Sequence, residues 1–102
     1  MSPDEIANQR HNRVRELILR AACRYYPQSL DSELLRATLA NLGYPMDQKD
    51  LAFYLAYLSD PERGYLKVDE KKDFRIALVT ITSRGIDALD GRIKDCAIGC
   101  GD

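Results

Sequence analysis

Apolar residues in the first quarter of the chain recur at the spacing of an α-helix. Separations of three and four residues bring them to one side of a helix, where they can be buried together. A proline at position 27 ends the pattern, because its ring cannot continue a helix. We therefore expect a first helix from about Pro3 or Asp4 to Tyr25. The positions that define its buried face are Val14, Leu17, Ile18, Ala21 and Tyr25.

Two further helices are predicted by the same local arrangement, an aspartate followed by a leucine-rich segment. Asp31 can cap a helix over "DSELLRATLANLG", with Ser29 as an alternative cap, and Asp47 can cap one over "DQKDLAFYLAYLS". The apolar residue before each aspartate can pack on the leucine that lies one turn into the helix. Gly43 suits the left-handed residue that follows a helix end. The side chains expected to face inward are Leu35, Leu39 and Leu42, with Leu34 beside them, in the second helix, and Leu51, Tyr54, Leu55 and Leu58 in the third.

The pattern changes from helical to alternating in the segment "GYLKVDEKKDFRIALVTIT", which starts at Gly64. Alternation together with β-branched residues favours two strands, joined here by the polar turn "EKKD". A short strand near Gln28–Leu30, paired with this hairpin, is the alternative to an early start of the second helix. The residues expected to fix the hairpin to the core are Leu66, Val68, Phe74, Ile76 and Leu78.

A short last helix is predicted over "SRGIDALDG", with Thr82 as its cap. Gly85 is unfavourable inside a helix, so it either permits the close approach of another segment or marks a loose first turn. The predicted fold class is mainly α with one β-hairpin, in the order helix, helix, helix, strand, strand, helix. A chain of 102 residues suits one domain. We place that domain at residues 1–91 and a C-terminal tail at residues 92–102.

The charge of the chain is nearly balanced, with 15 basic and 16 acidic residues. A protein that binds duplex nucleic acid usually carries a basic surplus, because it displaces the counterions of the phosphates. The basic bias lies at the start, where residues 1–28 hold five Arg against three acids. No apolar run reaches the roughly 20 residues that span a membrane, and the N-terminus lacks the apolar core of a signal peptide. We therefore expect a cytoplasmic protein without membrane contact.

Residue types that carry out catalysis or bind metals are sparse in this chain. His11 is the only histidine, so the sequence offers no evident pair of nucleophile and base. Cys23, Cys96 and Cys100 would all have to meet this histidine to supply the four ligands of a zinc site. We therefore expect no enzyme and no metal, cofactor or small-molecule site, and we expect the tail thiols to be free.

Two segments of the chain resemble the winged helix-turn-helix superfamily. In "YLAYLSDPERGYLKV" a helix ends in a leucine pair and a Gly-Tyr-Leu opens the hairpin, and "VTITSRGIDALDG" opens the last helix. The likeness covers roughly Val14 to Gly91, and the whole chain is similar to small winged-helix proteins encoded by Mu-like prophages. This resemblance implies a DNA-binding or transcription-regulator-like protein that acts as a dimer on double-stranded DNA.

The resemblance also marks individual residues as contacts with DNA. In such proteins the third helix lies in the major groove, and the hairpin, called the wing, touches the DNA backbone or minor groove. The marked positions are Gln48, Lys49, Ala52, Phe53, Ala56 and Tyr57 on the third helix, and Lys71, Lys72 and Arg75 on the wing.

The outward face of the third helix has a composition that is unusual for a base-reading surface. Base edges are read mainly by Arg, Lys, Asn and Gln, yet this helix has no Arg and carries Asp47 and Asp50 at its start. An exposed apolar stripe favours contact with a protein partner or a second copy of the chain. A third possibility is that Phe53 is simply buried beneath the wing or the first helix. The candidate partner surface consists of Ala52, Phe53, Ala56 and Tyr57.

Overall fold

The computed structural model of the protein describes residues 3–71, 76–93 and 98. Within these residues it contains four helices and one antiparallel sheet of three strands. The elements in chain order are α1 (Pro3–Tyr25), β1 (Leu30–Asp31), α2 (Ser32–Asn41), α3 (Gln48–Ser59), β2 (Leu66–Lys71), β3 (Ile76–Ile81) and α4 (Ser83–Leu89).

The helices begin at the capping residues that the sequence predicts. The Asp31 carboxylate accepts a hydrogen bond from the backbone N–H of Leu34 at 2.7 Å, so this aspartate, and not Ser29, caps α2. The Asp47 carboxylate accepts in the same way from the N–H of Asp50 at 2.8 Å and caps α3. Each bond satisfies a backbone donor that the first turn of a helix leaves without an intrahelical partner.

The sheet places the last strand in the middle, in the order β1-β3-β2. Both pairings are antiparallel, and Val79 on β3 lies opposite Leu30 on one side and Val68 on the other. The predicted extra strand is therefore present, although it occupies Leu30–Asp31 instead of starting at Gln28. Because β1 leads directly into α2, the sheet holds the start of that helix against the hairpin.

The predicted inward face of β3 is wrong by one residue. Val79 and Ile81 are the buried residues, with 0% and 2% of their surface exposed, whereas Leu78 is half-buried on the opposite face. The register explains this phase, because Ile81 lies opposite the buried Leu66 and directly opposed residues share a face of the sheet. Phe74, also expected to face inward, lies outside the described residues.

The core surrounds the middle of α1, which contacts β3, α2 and α4. Leu19 and Ala22 are buried in addition to the predicted face, because α1 is covered on more than one side. Three predicted core positions are wrong: Tyr25 is exposed at the last residue of α1, Leu34 is 43% exposed on α2, and Leu42 is 52% exposed where α2 has already ended. Other buried core residues are Val14, Ile18, Leu30, Leu35, Leu39, Leu51, Leu55, Leu58 and Tyr65.

Gly85 permits a close approach between α4 and the start of the hairpin. A Cβ atom at this position would lie 2.3 Å from the carbonyl oxygen of Tyr65 and 2.7 Å from Ile81 Cγ1. The neighbouring cap completes the junction, because the Thr82 hydroxyl accepts from the Gly85 N–H at 3.1 Å and donates to the Gly64 carbonyl at 2.6 Å. Of the two sequence interpretations of this glycine, the close approach is confirmed.

The core also includes a residue from the predicted tail. Ile98 is only 6% exposed and belongs to the same buried cluster as the helices and the sheet. A boundary drawn after Gly91 therefore leaves a core side chain on the tail side.

Candidate functional site

The outer face of α3 is open along its length. Leu51, Leu55 and Leu58 are buried on the inner side, while Ala52 and Ala56 are exposed on the outer side. Phe53, the residue after Ala52, is also on the outer side and is 69% exposed. The expectation that the wing or the first helix simply buries this ring is therefore wrong.

Tyr57 lies apart from the open face and is held by two arginines. The guanidinium of Arg15 on α1 lies 4.0 Å from the centre of its ring, and that of Arg63, in the turn after α3, lies 3.9 Å away. Arg63 also donates a hydrogen bond to the Tyr57 hydroxyl. The cations are attracted to the negative face of the ring, so this predicted partner contact is a half-buried residue that joins α3 to its neighbours.

A cleft of about 490 Å³ separates the first half of α1 from α3. Arg10, His11 and Arg15 line it from α1, and Phe53 lines it from α3. The loop before α3 adds Pro45 and Met46, and Asp50 supplies an acidic group. Of these, Phe53 connects the cleft to the open outer face of α3.

Aromatic side chains position the polar residues of α1 along this cleft. The guanidinium of Arg10 lies 5.0 Å from the centre of the Tyr44 ring. His11 Nδ1 lies 2.6 Å from the Tyr54 hydroxyl, with the two rings tilted by 50°. Burial raises the pKa of the Tyr54 hydroxyl, against the opposing effect of the nearby Arg15 and Arg10 charges. A neutral phenol is thus favoured at this hydrogen bond.

The spacing of the basic residues on α1 could have predicted the cleft, although the apolar pattern alone does not indicate it. Arg10 lies one turn before Val14, and His11 lies one turn before Arg15. The basic residues therefore continue the buried stripe toward the start of the helix. By contrast, Arg13 and Arg20 both pair with Glu16, at 3.0 and 3.2 Å. Four of the five arginines of α1 therefore divide into a cleft pair, Arg10 and Arg15, and a pair bound to Glu16.

The residues predicted to contact DNA are only partly brought together. Gln48 and Lys49 are both exposed in the first turn of α3. The Gln48 amide donates to the Glu33 carboxylate at 3.0 Å. The pKa of Glu33 is lowered mainly by a hydrogen bond from Arg36 and, to a smaller extent, by this one from Gln48. Lys71 ends β2; its side chain, together with Lys72 and Arg75, lies outside the described residues.

Features of a metal site or a membrane span are not found in the described ranges. No three His, Cys, Asp or Glu side chains in that part of the chain lie where they would share a metal ion. None of the helices observed there is long and apolar enough to cross a bilayer. Cys23 is a half-buried free thiol, and Cys96 and Cys100 fall outside these ranges.

Comparisons with known proteins add no relative to this description. No protein-family model, no curated protein and no solved structure matches the chain. The functional interpretation therefore rests on the surface of α3 and on the cleft beside it.

Proposed function

We propose that the chain is a winged-helix domain. The order of its elements supports the proposal, since α2 and α3 precede an antiparallel hairpin and a short strand before α2 pairs with the hairpin's second strand. The segments around Gly64 and Gly85 that carry the resemblance form the junction between the hairpin and α4. In this proposal α3 takes the position of the helix that such domains present to their targets.

We further propose that this domain binds a protein through the outer face of α3. The exposure of Phe53 carries the proposal, because a ring that is 69% exposed offers apolar surface that a partner can cover. Burying a phenylalanine side chain contributes roughly 1.5–3 kcal/mol. Ala52 and Ala56 leave the ring projecting above its neighbours, which suits an aromatic residue inserted into a partner's pocket.

Binding to duplex DNA is the second candidate function, and the exposure of Gln48 and Lys49 at the start of α3 favours it. Both side-chain types can read bases or contact phosphates. Asp47 and Asp50 flank them, however, and would repel phosphates at close range. Because of this opposing charge, we rank DNA binding below protein binding as the function of this surface.

Photocrosslinking at position 53 tests the protein-binding proposal. We expect the variant that carries benzoylphenylalanine in place of Phe53 to form covalent adducts with protein when it is expressed in the native host and illuminated. The matched control carries the same group at Ala40, which is exposed on α2 outside the cleft. Adducts at position 53 no more abundant than at position 40, or adducts with DNA alone, would contradict the proposal. Sedimentation of the wild type and of the Phe53→Asp variant then shows whether the partner is a second copy. A dimeric wild type and a folded, monomeric variant would identify one, and a wild type that is monomeric at high concentration would exclude it.

Salt titration tests the DNA candidate independently. Binding of a fluorescent duplex should weaken steeply with added salt if phosphates are contacted. Replacement of both Lys71 and Lys72 by Glu should abolish such binding if the wing takes part, and Lys49→Glu should weaken it if α3 does. If wild type and these variants do not differ and salt has little effect, DNA is not the target.

A further inference from the structure

We infer that the cleft between α1 and α3 binds a partner segment in which a carboxylate side chain lies beside a large apolar one. This inference rests on the proposed function, since it specifies the chemistry of the protein that the face of α3 would contact. It concerns the cleft wall formed by α1, which the exposure of Phe53 alone does not involve.

The charge of the cleft differs from that of the whole chain. Two guanidinium groups, those of Arg10 and Arg15, line it, and among the lining residues that the structure describes Asp50 is the acidic one. The chain as a whole has a formal net charge of -1. A carboxylate at the α1 wall would therefore meet a local excess of positive charge, although the chain as a whole is slightly acidic.

The arginines are also oriented by aromatic rings. Arg10 lies over Tyr44 and Arg15 over Tyr57, at 5.0 and 4.0 Å from the ring centres. Stacking of this kind restrains the guanidinium plane while its N–H groups point outward from the edge. Arg15 donates to the Asn12 side chain at 3.1 Å, whereas Arg10 is exposed. We therefore assign the carboxylate to Arg10, since it is the exposed one of the two arginines. Because its guanidinium is already restrained by the ring, it loses less entropy on binding.

The remaining walls favour an apolar neighbour of that carboxylate. Pro45, Met46 and Phe53 contribute apolar surface, and the buried Val14 also lines the cleft. The volume of about 490 Å³ lies in the range of clefts that enclose small ligands or a few side chains. An acidic side chain directed to Arg10 would bring its apolar neighbour against this second wall.

A nucleic acid fits this cleft less well than a peptide. Its phosphates recur at fixed spacing along the strand, so several would have to pass Asp50 and the apolar wall of Met46 and Phe53. A peptide can place a single carboxylate on the α1 side and an apolar group on the other. The observations therefore favour a peptide over a strand of phosphates.

Titration with two matched peptides tests the inference in the full chain. The probes are acetyl-Leu-Glu-Leu-Phe-amide and its counterpart with Gln in place of Glu, followed by NMR of the protein's amide and arginine side-chain resonances. We expect saturable shifts at Arg10, Met46 and Phe53, with the Glu peptide binding at least about tenfold more tightly than the Gln peptide. Equal affinity of the two peptides, or shifts confined to other surfaces, would overturn the inference.

Two variants distinguish recognition of the carboxylate from general attraction. Arg10→Gln should remove the preference for the Glu peptide, whereas Arg13→Gln should keep it, because Arg13 is paired with Glu16 outside the cleft. A preference that survives in the Arg10→Gln variant would overturn the assignment. An octathymidylate probe that shifts the same resonances at lower concentration than the Glu peptide would overturn the choice of a peptide.

The same experiments separate failure of this inference from failure of the proposed function. If crosslinks at position 53 persist while the Glu and Gln peptides bind alike, the face of α3 binds protein and the carboxylate site is wrong. If position 53 yields no protein adducts and neither peptide shifts the resonances of the cleft residues, both the protein-binding proposal and the carboxylate site are wrong.

Discussion

Among the glycines that the structure describes, Gly85 is the one at which the fold leaves the least room for a side chain. A Cβ atom would lie 2.3 Å from a backbone oxygen of Tyr65, which cannot move without shifting the hairpin. We expect Gly85→Ala to destabilise the protein by about 1–3 kcal/mol in urea unfolding. Helix propensity alone predicts the opposite sign, a gain of about 0.5–1 kcal/mol. A stabilised Gly85→Ala variant would therefore contradict the described contact.

The hydroxyl of Tyr54 links stability to alkaline pH. Burial raises its pKa in the folded protein, so above the ordinary value of about 10 the unfolded chain loses this proton first. The folded state then binds more protons than the unfolded state, and the free energy of unfolding falls as pH rises through this range. We expect Tyr54→Phe to lose less stability than wild type between neutral pH and about pH 11. Parallel pH profiles of the two proteins would show that Tyr54 has no such effect.

At the scale of secondary-structure elements, Thr82 joins α4 to the hairpin through one hydroxyl. It caps the helix at the Gly85 N–H and also donates to the Gly64 carbonyl. Thr82→Ala removes both bonds, and we expect a loss of about 2 kcal/mol in the free energy of unfolding. Thr82→Ser is the matched control, since it keeps the hydroxyl and should lose less than about 1 kcal/mol. Similar losses in the two variants would assign the effect to the methyl group.

The elements differ in how far the sequence predicts them, and the reason is physical. The starts of α2 and α3 are predictable because Asp31 and Asp47 bond within their own first turns. The phase of β3 is not, because "IALVTI" offers apolar residues on both faces. The choice depends on cross-strand partners such as Leu66 and Leu30, which lie far away in sequence.

At the scale of the whole molecule, the α1–α3 cleft is the least predictable feature. It brings Arg10 and Arg15 on α1 to Met46 and Phe53, more than 30 residues further along the chain. The helical spacing of α3 is enough to predict that Phe53 lies on its outer face. The opposite wall of the cleft, formed by α1, depends on tertiary packing and cannot be predicted in this way. The stacking of Arg15 on Tyr57 is a contact of this kind.

The position of the core within the molecule predicts a large difference between two leucines. Leu58 is fully buried, whereas Leu42 is 52% exposed. We expect Leu58→Ala to lose about 2–5 kcal/mol, since it leaves a cavity. Leu42→Ala should lose less than about 1 kcal/mol. Urea denaturation of both variants measures the difference, and equal losses would show that Leu42 is covered in solution.

The exposed ring of Phe53 also gives this molecule a natural place for an optical reporter. The chain contains six tyrosines and no tryptophan, so the variant Phe53→Trp would carry the only indole of the protein. That indole would stand in water beside the cleft, and covering it would shift its emission to shorter wavelength. The fluorescence of this variant would therefore report the binding of a partner that covers position 53, without a label on either molecule.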